Sequence, residues 1–410
     1  MSPTDTTAAH RRTVAARLVA ATGIGIATGL VVLALEHAVE DVIHELVEAD
    51  VWVPAVVLVA GAVVTAIIIR YVGGRSSAST EVYVEEFHRD DAELDPKHAP
   101  GRLLGSFTTL GSGAPLGLEG PAVYTGSVIA TLVHRHWKVL RGEAFHVLLV
   151  AGSAAGIAAV FKAPAAGAIF AMEVPFRGRF AGERVLPAIF GSAAGYLTMA
   201  SVDGVKSEIE VPLIELTFDR AMWTIVLGLV VGVAALGVIK LVTMAEHATT
   251  RWSASVRALA AGGGLAAIYA LGRGMTGEPI AITSGNSAID WAIEPDRAIW
   301  ILLGLIALRA VGPAVSIAGG GVGGLFIPLM AIGALVGRLF ADAVNAEELA
   351  LYVTVGAATM LGAGYAVPLT GVIFVAEYTG QATVIVPALL AMAAARLVVG
   401  NRSVSPAQQP

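Results

Sequence analysis

An all-α, polytopic membrane fold made of two related halves with broken helices is what this sequence predicts. Three observations predict it: a deficit of charge, apolar runs of bilayer length, and an internal repeat. Of the 410 residues, 56% are hydrophobic and 14% charged, with mean hydropathy +0.75; a soluble domain carries roughly 25% charged residues. Charge is absent from Leu18 to Leu35, from Val51 to Ile69 and from Ala310 to Gly337. Each run is close to or above the ~18 residues that mark a transmembrane candidate.

Taken in chain order, the apolar periodicity and its Gly/Pro punctuation predict helices near 10–36, 51–72, 98–110, 121–140, 143–160, 164–174 and 183–202. A second series lies near 217–247, 252–272, 297–313, 328–342, 346–364, 369–378 and 382–400. The first run is too long for a signal peptide and a second span follows it. Arg11, Arg12 and Arg17 precede it, and Arg70 and Arg75 follow the second span. Glu36, Glu40, Asp41, Glu45, Glu48 and Asp50 lie between. The positive-inside rule therefore puts the N-terminus in the cytoplasm, with this acidic stretch as an outward-facing loop. Gly73 to Pro100 reads as a cytoplasmic connection, 202–217 joins the halves (about 10–202 and 217–400), and 277–297 reads as extramembrane. Ten residues follow Gly400, too few for a soluble regulatory domain. Cysteine is absent, which removes disulfides, thiolate metal sites and cysteine nucleophiles. A net charge of −6 is too mild to argue for a charged partner.

The repeat is carried by two blocks. Pro164-Ala165-Ala166-Gly167-Ala168-Ile169-Phe170-Ala171-Met172-Glu173 matches Pro368-Leu369-Thr370-Gly371-Val372-Ile373-Phe374-Val375-Ala376-Glu377 as Pro-x-x-Gly-x-Ile-Phe-x-x-Glu, displaced by 204 residues. Upstream, Gly117-Leu118-Glu119-Gly120-Pro121 pairs with Gly324-Leu325-Phe326-Ile327-Pro328, displaced by 207. Two blocks in one order at nearly one offset point to duplication. Gly and Pro also interrupt the apolar stretches at matching places: 111–121 and 319–328, 162–164 and 362–368. In lipid, backbone that leaves a helix must find partners inside protein or along a water-filled cavity. Paired interruptions thus predict a substrate site near the midplane.

The chemistry expected there follows from the backbone. Pro121 suits a first helical turn and Gly120 a tight entry, so N–H groups around Gly117 to Val123 have no intrahelical acceptor. A helix N-terminus carries about half a positive charge and binds an anion without a cationic side chain. Residues 324–328 repeat the arrangement. Partial charges bind weakly enough to let the ion leave, as conduction requires. Glu119 is the only acidic or basic residue between Arg102 and His134, and an intramembrane carboxylate is a functional hypothesis by default. Ionised, it can occupy the anion site and block it; protonated, it should leave. The plainer role is a helix cap. Burial and the helix N-terminus pull its protonation in opposite directions. Glu173 and Glu377 are expected to make structural hydrogen bonds, and His134, His136, Lys138 and Arg141 to form an interfacial basic cluster. Gly319, Gly321 and Gly324 satisfy G-x-G-x-x-G, but inside a bilayer-length apolar segment rather than a strand–turn–helix unit. No Walker lysine, H-E-x-x-H or Ser/His pair is found, no cofactor or metal is implied, and there is no nucleic-acid footprint, so an enzyme ranks last.

Leu110-Gly111-Ser112-Gly113 through Gly120-Pro121 resembles the G-K/R-E-G-P filter segment of the CLC family of chloride channels and chloride/proton antiporters, with Leu118 in the usual place of a basic residue. Gly323-Gly324-Leu325-Phe326-Ile327-Pro328 is similar to its G-G-I-F-A-P segment, and the likeness extends from about residue 100 to 400. The resemblance implies an inverted-repeat homodimer in the lipid bilayer of the cell, with both termini cytoplasmic and one ion pathway per subunit. It implies Glu119 as the gating glutamate and ion contacts from the amides of Gly117, Leu118, Gly120, Leu325 and Phe326. The family's first filter segment, G-S-G-I-P, is degenerate in residues 74–80, where Ser77 matches its ion-binding serine. Asn401-Arg402-Ser403-Val404-Ser405 replaces the expected K-P-L-Y, putting Val404 in the place of the pathway tyrosine. The antiporters' inner proton-relay glutamate follows directly after Glu173; here it is Val174, as in the channel branch. The expectation is therefore a chloride (or similar small anion) channel or loosely coupled permease gated by Glu119 protonation. The alternatives are a proton-coupled chloride or fluoride antiporter and, from another class, a transporter of a small organic substrate.

Overall fold

The computed structural model describes residues 3–73, 79–89, 94–137, 145–177, 179–205, 209, 211–248 and 252–409. Helices α1 (Pro3–Glu48), α2 (Val53–Ile68), α3 (Thr80–Phe87), α4 (Ala99–Gly111), α5 (Glu119–His136), α6 (Phe145–Phe161), α7 (Pro164–Glu173) and α8 (Val185–Asp203) form one series. The second is α9 (Phe218–Ala248), α10 (Ala254–Thr276), α11 (Asn286–Ile293), α12 (Ile299–Ala318), α13 (Phe326–Ala343), α14 (Leu349–Tyr365), α15 (Pro368–Thr379) and α16 (Ile385–Val399). Eight of these helices are long and apolar enough to cross a membrane, and no strand occurs among the described residues.

One expectation is corrected and two connections prove to be more structured than expected. Residues 36–48 are not a loop: α1 runs through them to Glu48, because no Gly or Pro stands between Gly29 and Pro54 to stop it. The connection 73–100 contains α3, whose Val82, Tyr83, Val84 and Phe87 are buried, with the Tyr83 hydroxyl donating to the Ala171 carbonyl at 2.5 Å. Eight residues are too few to show a helical period. The stretch 277–297 likewise contains α11, and Ile280, Ala281 and Ile282 before it are buried. The guanidinium of Arg309, itself fully buried, holds that loop by donating to the carbonyls of Thr283 (2.9 Å) and Ile282 (2.8 Å).

The two series repeat one another in packing. α5 lies on α6 as α13 lies on α14, and α1 contacts α8 as α9 contacts α16. The first pair touches backbone to backbone. A Cβ on Gly126 would run into the Gly152 carbonyl and the reverse; Gly333 and Gly356 stand in the same relation. Irregular backbone repeats as well. Gly113 (φ +86°) and Gly320 (φ +89°) turn the chain after α4 and α12, and Lys162 (φ +51°) and Ala366 (φ +57°) turn it after α6 and α14. Left-handed non-glycine residues are uncommon, and their recurrence at equivalent places matches the repeat in the sequence.

The halves are joined by exchanged caps. Pro164 and Pro368 open α7 and α15 and leave the next N–H groups without intrahelical acceptors. The Glu377 carboxylate accepts from Ala165 N (2.9 Å) and Ala166 N (2.7 Å). Glu173 accepts from Leu369 N (3.0 Å), Thr370 N (2.8 Å) and the Thr370 hydroxyl (2.7 Å). Each carboxylate thus sits on the positive end of the other half's helix, the structural role expected of both. Hydrogen bonds to charged groups contribute about 1.5–3 kcal/mol. Glu173→Gln should therefore lower the unfolding temperature of the purified protein in detergent by several degrees. Gly333→Leu, which overpacks a backbone contact at about 1–3 kcal/mol, should do the same. Unchanged melting curves would contradict both assignments.

Candidate anion site

Where the two broken helices meet, their backbones are hydrogen-bonded to each other. Gly117 N donates to the Gly324 carbonyl (2.9 Å) and Gly324 N to the Gly117 carbonyl (2.8 Å), one antiparallel bridge between the halves. Thr109 at the end of α4 adds a tie, its hydroxyl oxygen accepting from Val322 N at 3.1 Å. Just beyond the bridge on each side a helix begins, α5 at Glu119 and α13 at Phe326. Their N-termini, and hence their unsatisfied amides, face one point.

A carboxylate occupies that point. Glu119 is fully buried, and its Oε1 accepts a hydrogen bond from Phe326 N across the pseudo-twofold. Gly117 and Gly324 are bare where they face it: a Cβ on Gly324 would meet Glu119 Cγ at 2.6 Å, and one on Gly117 its Cδ at 2.8 Å. The neighbouring amide, Leu325 N, donates to the Tyr365 hydroxyl at 3.2 Å. Phe326 is fixed by rings from three further helices. Phe161 is stacked at 5.2 Å, Phe170 is edge-on at 5.5 Å and Phe374 edge-on at 4.8 Å, an arrangement worth about 0.5–1.5 kcal/mol per pair beyond burial.

Two cavities reach the helix-start residues around this carboxylate. One, of about 300 Å³, is lined by Ser79, Thr80, Glu81, Arg257, residues 320–325, Tyr365 and Val404. The other, of about 100 Å³, is lined by Glu36, Glu40, Leu118, Phe161, Asn286 and Tyr378 among others. The helix-start residues Leu325 and Leu118 therefore border different cavities, and Glu119, which lines neither, directly follows Leu118.

The structure brings together most of the residues the sequence singles out. Glu119 is central, the Phe326 and Leu325 amides point at oxygen acceptors, and Gly120 is buried in the first turn of α5. Leu118 caps α5 and borders the smaller cavity. The Gly117 amide is committed to the Gly324 carbonyl in this conformation, so the bridge takes the N–H expected to meet an ion. Ser77 lies outside the described residues, as do Lys138 and Arg141 of the expected basic cluster. Val174 is buried, and its carbonyl accepts from Gln408 Nε2 at 2.8 Å. Val404 lines the larger cavity.

Tyr365 is a residue that sequence reasoning did not single out. The resemblance looks for a tyrosine near the C-terminus, where Val404 stands; the hydroxyl that accepts from Leu325 N comes from the last residue of α14. Its only signal was a phenol just before the left-handed Ala366 and the Pro368 helix start. Gly324→Ala should push the Glu119 carboxyl off the bridge. Anion efflux from reconstituted vesicles should then lose most of its pH dependence, and a profile matching the parent protein would contradict the cradle.

Comparison with known proteins agrees with this geometry. A family model described as voltage gated chloride channel matches residues 57–400. The H(+)/Cl(-) exchange transporter ClcA of Cronobacter sakazakii is 31% identical over 319 residues, covering 73% of this chain and 66% of that protein, just under two thirds of its length. ClcA of Citrobacter koseri is 29% identical over 415 residues, covering 94% of this chain and 86% of the relative. Among solved structures, a slow cyanobacterial Cl−/H+ antiporter superposes with TM-score 0.85 at 21% identity over 95% of this chain and 96% of its own. A CLC-type fluoride/proton antiporter superposes with TM-score 0.82 at 20% identity, over 97% and 98%.

Proposed function

Starting from the fact that this chain belongs to the voltage-gated chloride channel (CLC) family, we propose that it exchanges a small anion, chloride first, for protons, with Glu119 as the moving part. One observation carries the reading: a buried carboxylate rests on the α13 N-terminal amide, in the place an anion would take, and a separate cavity borders the helix-start residue on each side. Ionised, Glu119 competes with the anion for the same partial positive charge. Protonated, it loses that attraction, releases the Phe326 amide, and turns toward the Leu118 side. An anion entering and a proton leaving then become alternatives at one site, which is the essence of exchange.

The channel reading drawn from Val174 is not the one the comparisons favour, because the relatives are named exchange transporters. A valine carries no proton, so the inner route must run elsewhere. The larger cavity is assigned to the cytoplasmic side. α1 borders the smaller cavity with Glu36 and Glu40 near its far end, so its arginine-flanked beginning lies across the membrane, the orientation the positive-inside rule favours. A second subunit is placed on the face where α7 and α15 meet, flanked by α8 and α16. Leu186, Ile189 and Leu197 of α8 and Val386, Leu389 and Leu397 of α16 are exposed there, supporting a homodimer.

The test is flux in proteoliposomes. A chloride gradient should drive protons uphill, and chloride flux should rise as pH falls, because acid protonates Glu119 and frees the site. Glu119→Gln and Glu119→Ala should move chloride without pH dependence and without protons. Chloride flux that never drives protons in the parent protein would return the channel reading; mutants that keep the parent pH profile would remove Glu119 from the gate.

A further inference from the structure

The proposed exchange needs a proton acceptor on the cytoplasmic side, and Val174 cannot be one. The nearest carboxylate in sequence, Glu173, is spent on capping α15 with three hydrogen bonds. Glu86 of α3 is held by Arg89 at 3.2 Å. Among the described residues lining the larger cavity, Glu81 is the only carboxylate. It faces Arg257 of α10, the hydroxyl residues Ser79 and Thr80, and Tyr365 of α14 across that space.

Glu81 is also tied to the segment that meets Val174. Its Oε2 accepts from Ala407 N at 3.2 Å. The next residue, Gln408, is buried, and its Nε2 donates to the carbonyls of both Val174 and Tyr365 at 2.8 Å. Gln408 Oε1 has no hydrogen-bond partner, a buried acceptor suited to a water molecule. The same Tyr365 also reaches the start of α13. The Tyr365 hydroxyl accepts from Leu325 N, while Glu119 accepts from the adjacent amide, Phe326 N. Because that hydroxyl uses a lone pair on Leu325, its own proton is available to donate.

Resting on the exchange reading above, we infer that Glu81 is the inner proton carrier of this chain. Its carboxylate takes a proton from cytoplasmic water and becomes neutral. It passes that proton through cavity water to Tyr365 as the Tyr365 hydroxyl hands its own to Glu119. Glu81 returns to the carboxylate, Tyr365 is unchanged and Glu119 is neutral, so one proton has crossed the inner half. The guanidinium of Arg257, in the same cavity, meanwhile draws anions toward the site.

The experiment measures protons moved per chloride in vesicles containing the full chain, for the parent protein, Glu81→Gln, and Glu81→Gln with Val174→Glu. Glu81→Gln should lower the proton-to-chloride ratio at least tenfold, and the added Val174→Glu should restore a measurable part of it. Glu81→Ala is read the same way should Glu81→Gln fail to transport. If the parent protein couples and the Glu81 variants keep its ratio, Glu81 is not the carrier and exchange still stands. If the parent protein moves chloride with no protons, the exchange reading falls and this inference with it.

Discussion

The structure depends on one constraint: backbone amides that leave a helix inside a membrane must find acceptors within the protein. The exchange of hydrogen bonds between Gly117 and Gly324 answers part of that demand and, in doing so, fixes the two half-helices against each other. What remains unsatisfied, the first turns of α5 and α13, is then aimed at a single point. Glycine is required at both bridging positions because a Cβ would occupy the space the carboxylate uses. Site and fold junction are therefore the same few atoms.

A site made of amides leaves charge in short supply, and the surrounding residues respect that. Arg309 is fully buried, yet both its terminal nitrogens donate to the carbonyls of Ile282 and Thr283, so it braces a loop. The exchanged caps at α7 and α15 put carboxylates on two more helix N-termini and so occupy positive ends that could otherwise attract anions elsewhere. Glu119 differs from these caps in sitting, fully buried, between the two half-helices that the Gly117–Gly324 bridge joins. That placement is why a gate is proposed for it.

Below the gate the chain closes on itself in an unusual way. Residues 404–409 thread between Gly364, Val174, Pro175 and Glu81, with Val404 N bonded to the Gly364 carbonyl at 2.8 Å and Gln409 N to that of Pro175 at 3.2 Å. A polar carboxamide thus lies where the sequence offers only a valine, and a phenol from α14 stands where the C-terminal segment offers none. Under the proposed exchange these neighbours in space stand in for what the chain lacks locally, since a proton path needs a hydroxyl and an acceptor and is indifferent to which helix brings them.

The sequence by itself determined the membrane class, the repeat, the broken helices and the singling out of Glu119 as a lone intramembrane carboxylate. All of these follow from local quantities: charge density, apolar run length, Gly/Pro punctuation and a lone ionisable residue in an apolar stretch. Short helices such as α3 and α11 were illegible because eight residues carry too little periodicity, and the helical course of residues 36–48 was hidden because acidic composition was read as a loop. Only the tertiary structure decided that Glu119 meets Phe326, that Glu173 and Glu377 cap each other's halves, and that Tyr365 and Glu81 line one cavity. Those contacts link residues far apart in the chain, and nothing in a linear pattern states which unsatisfied amide will be faced by which side chain.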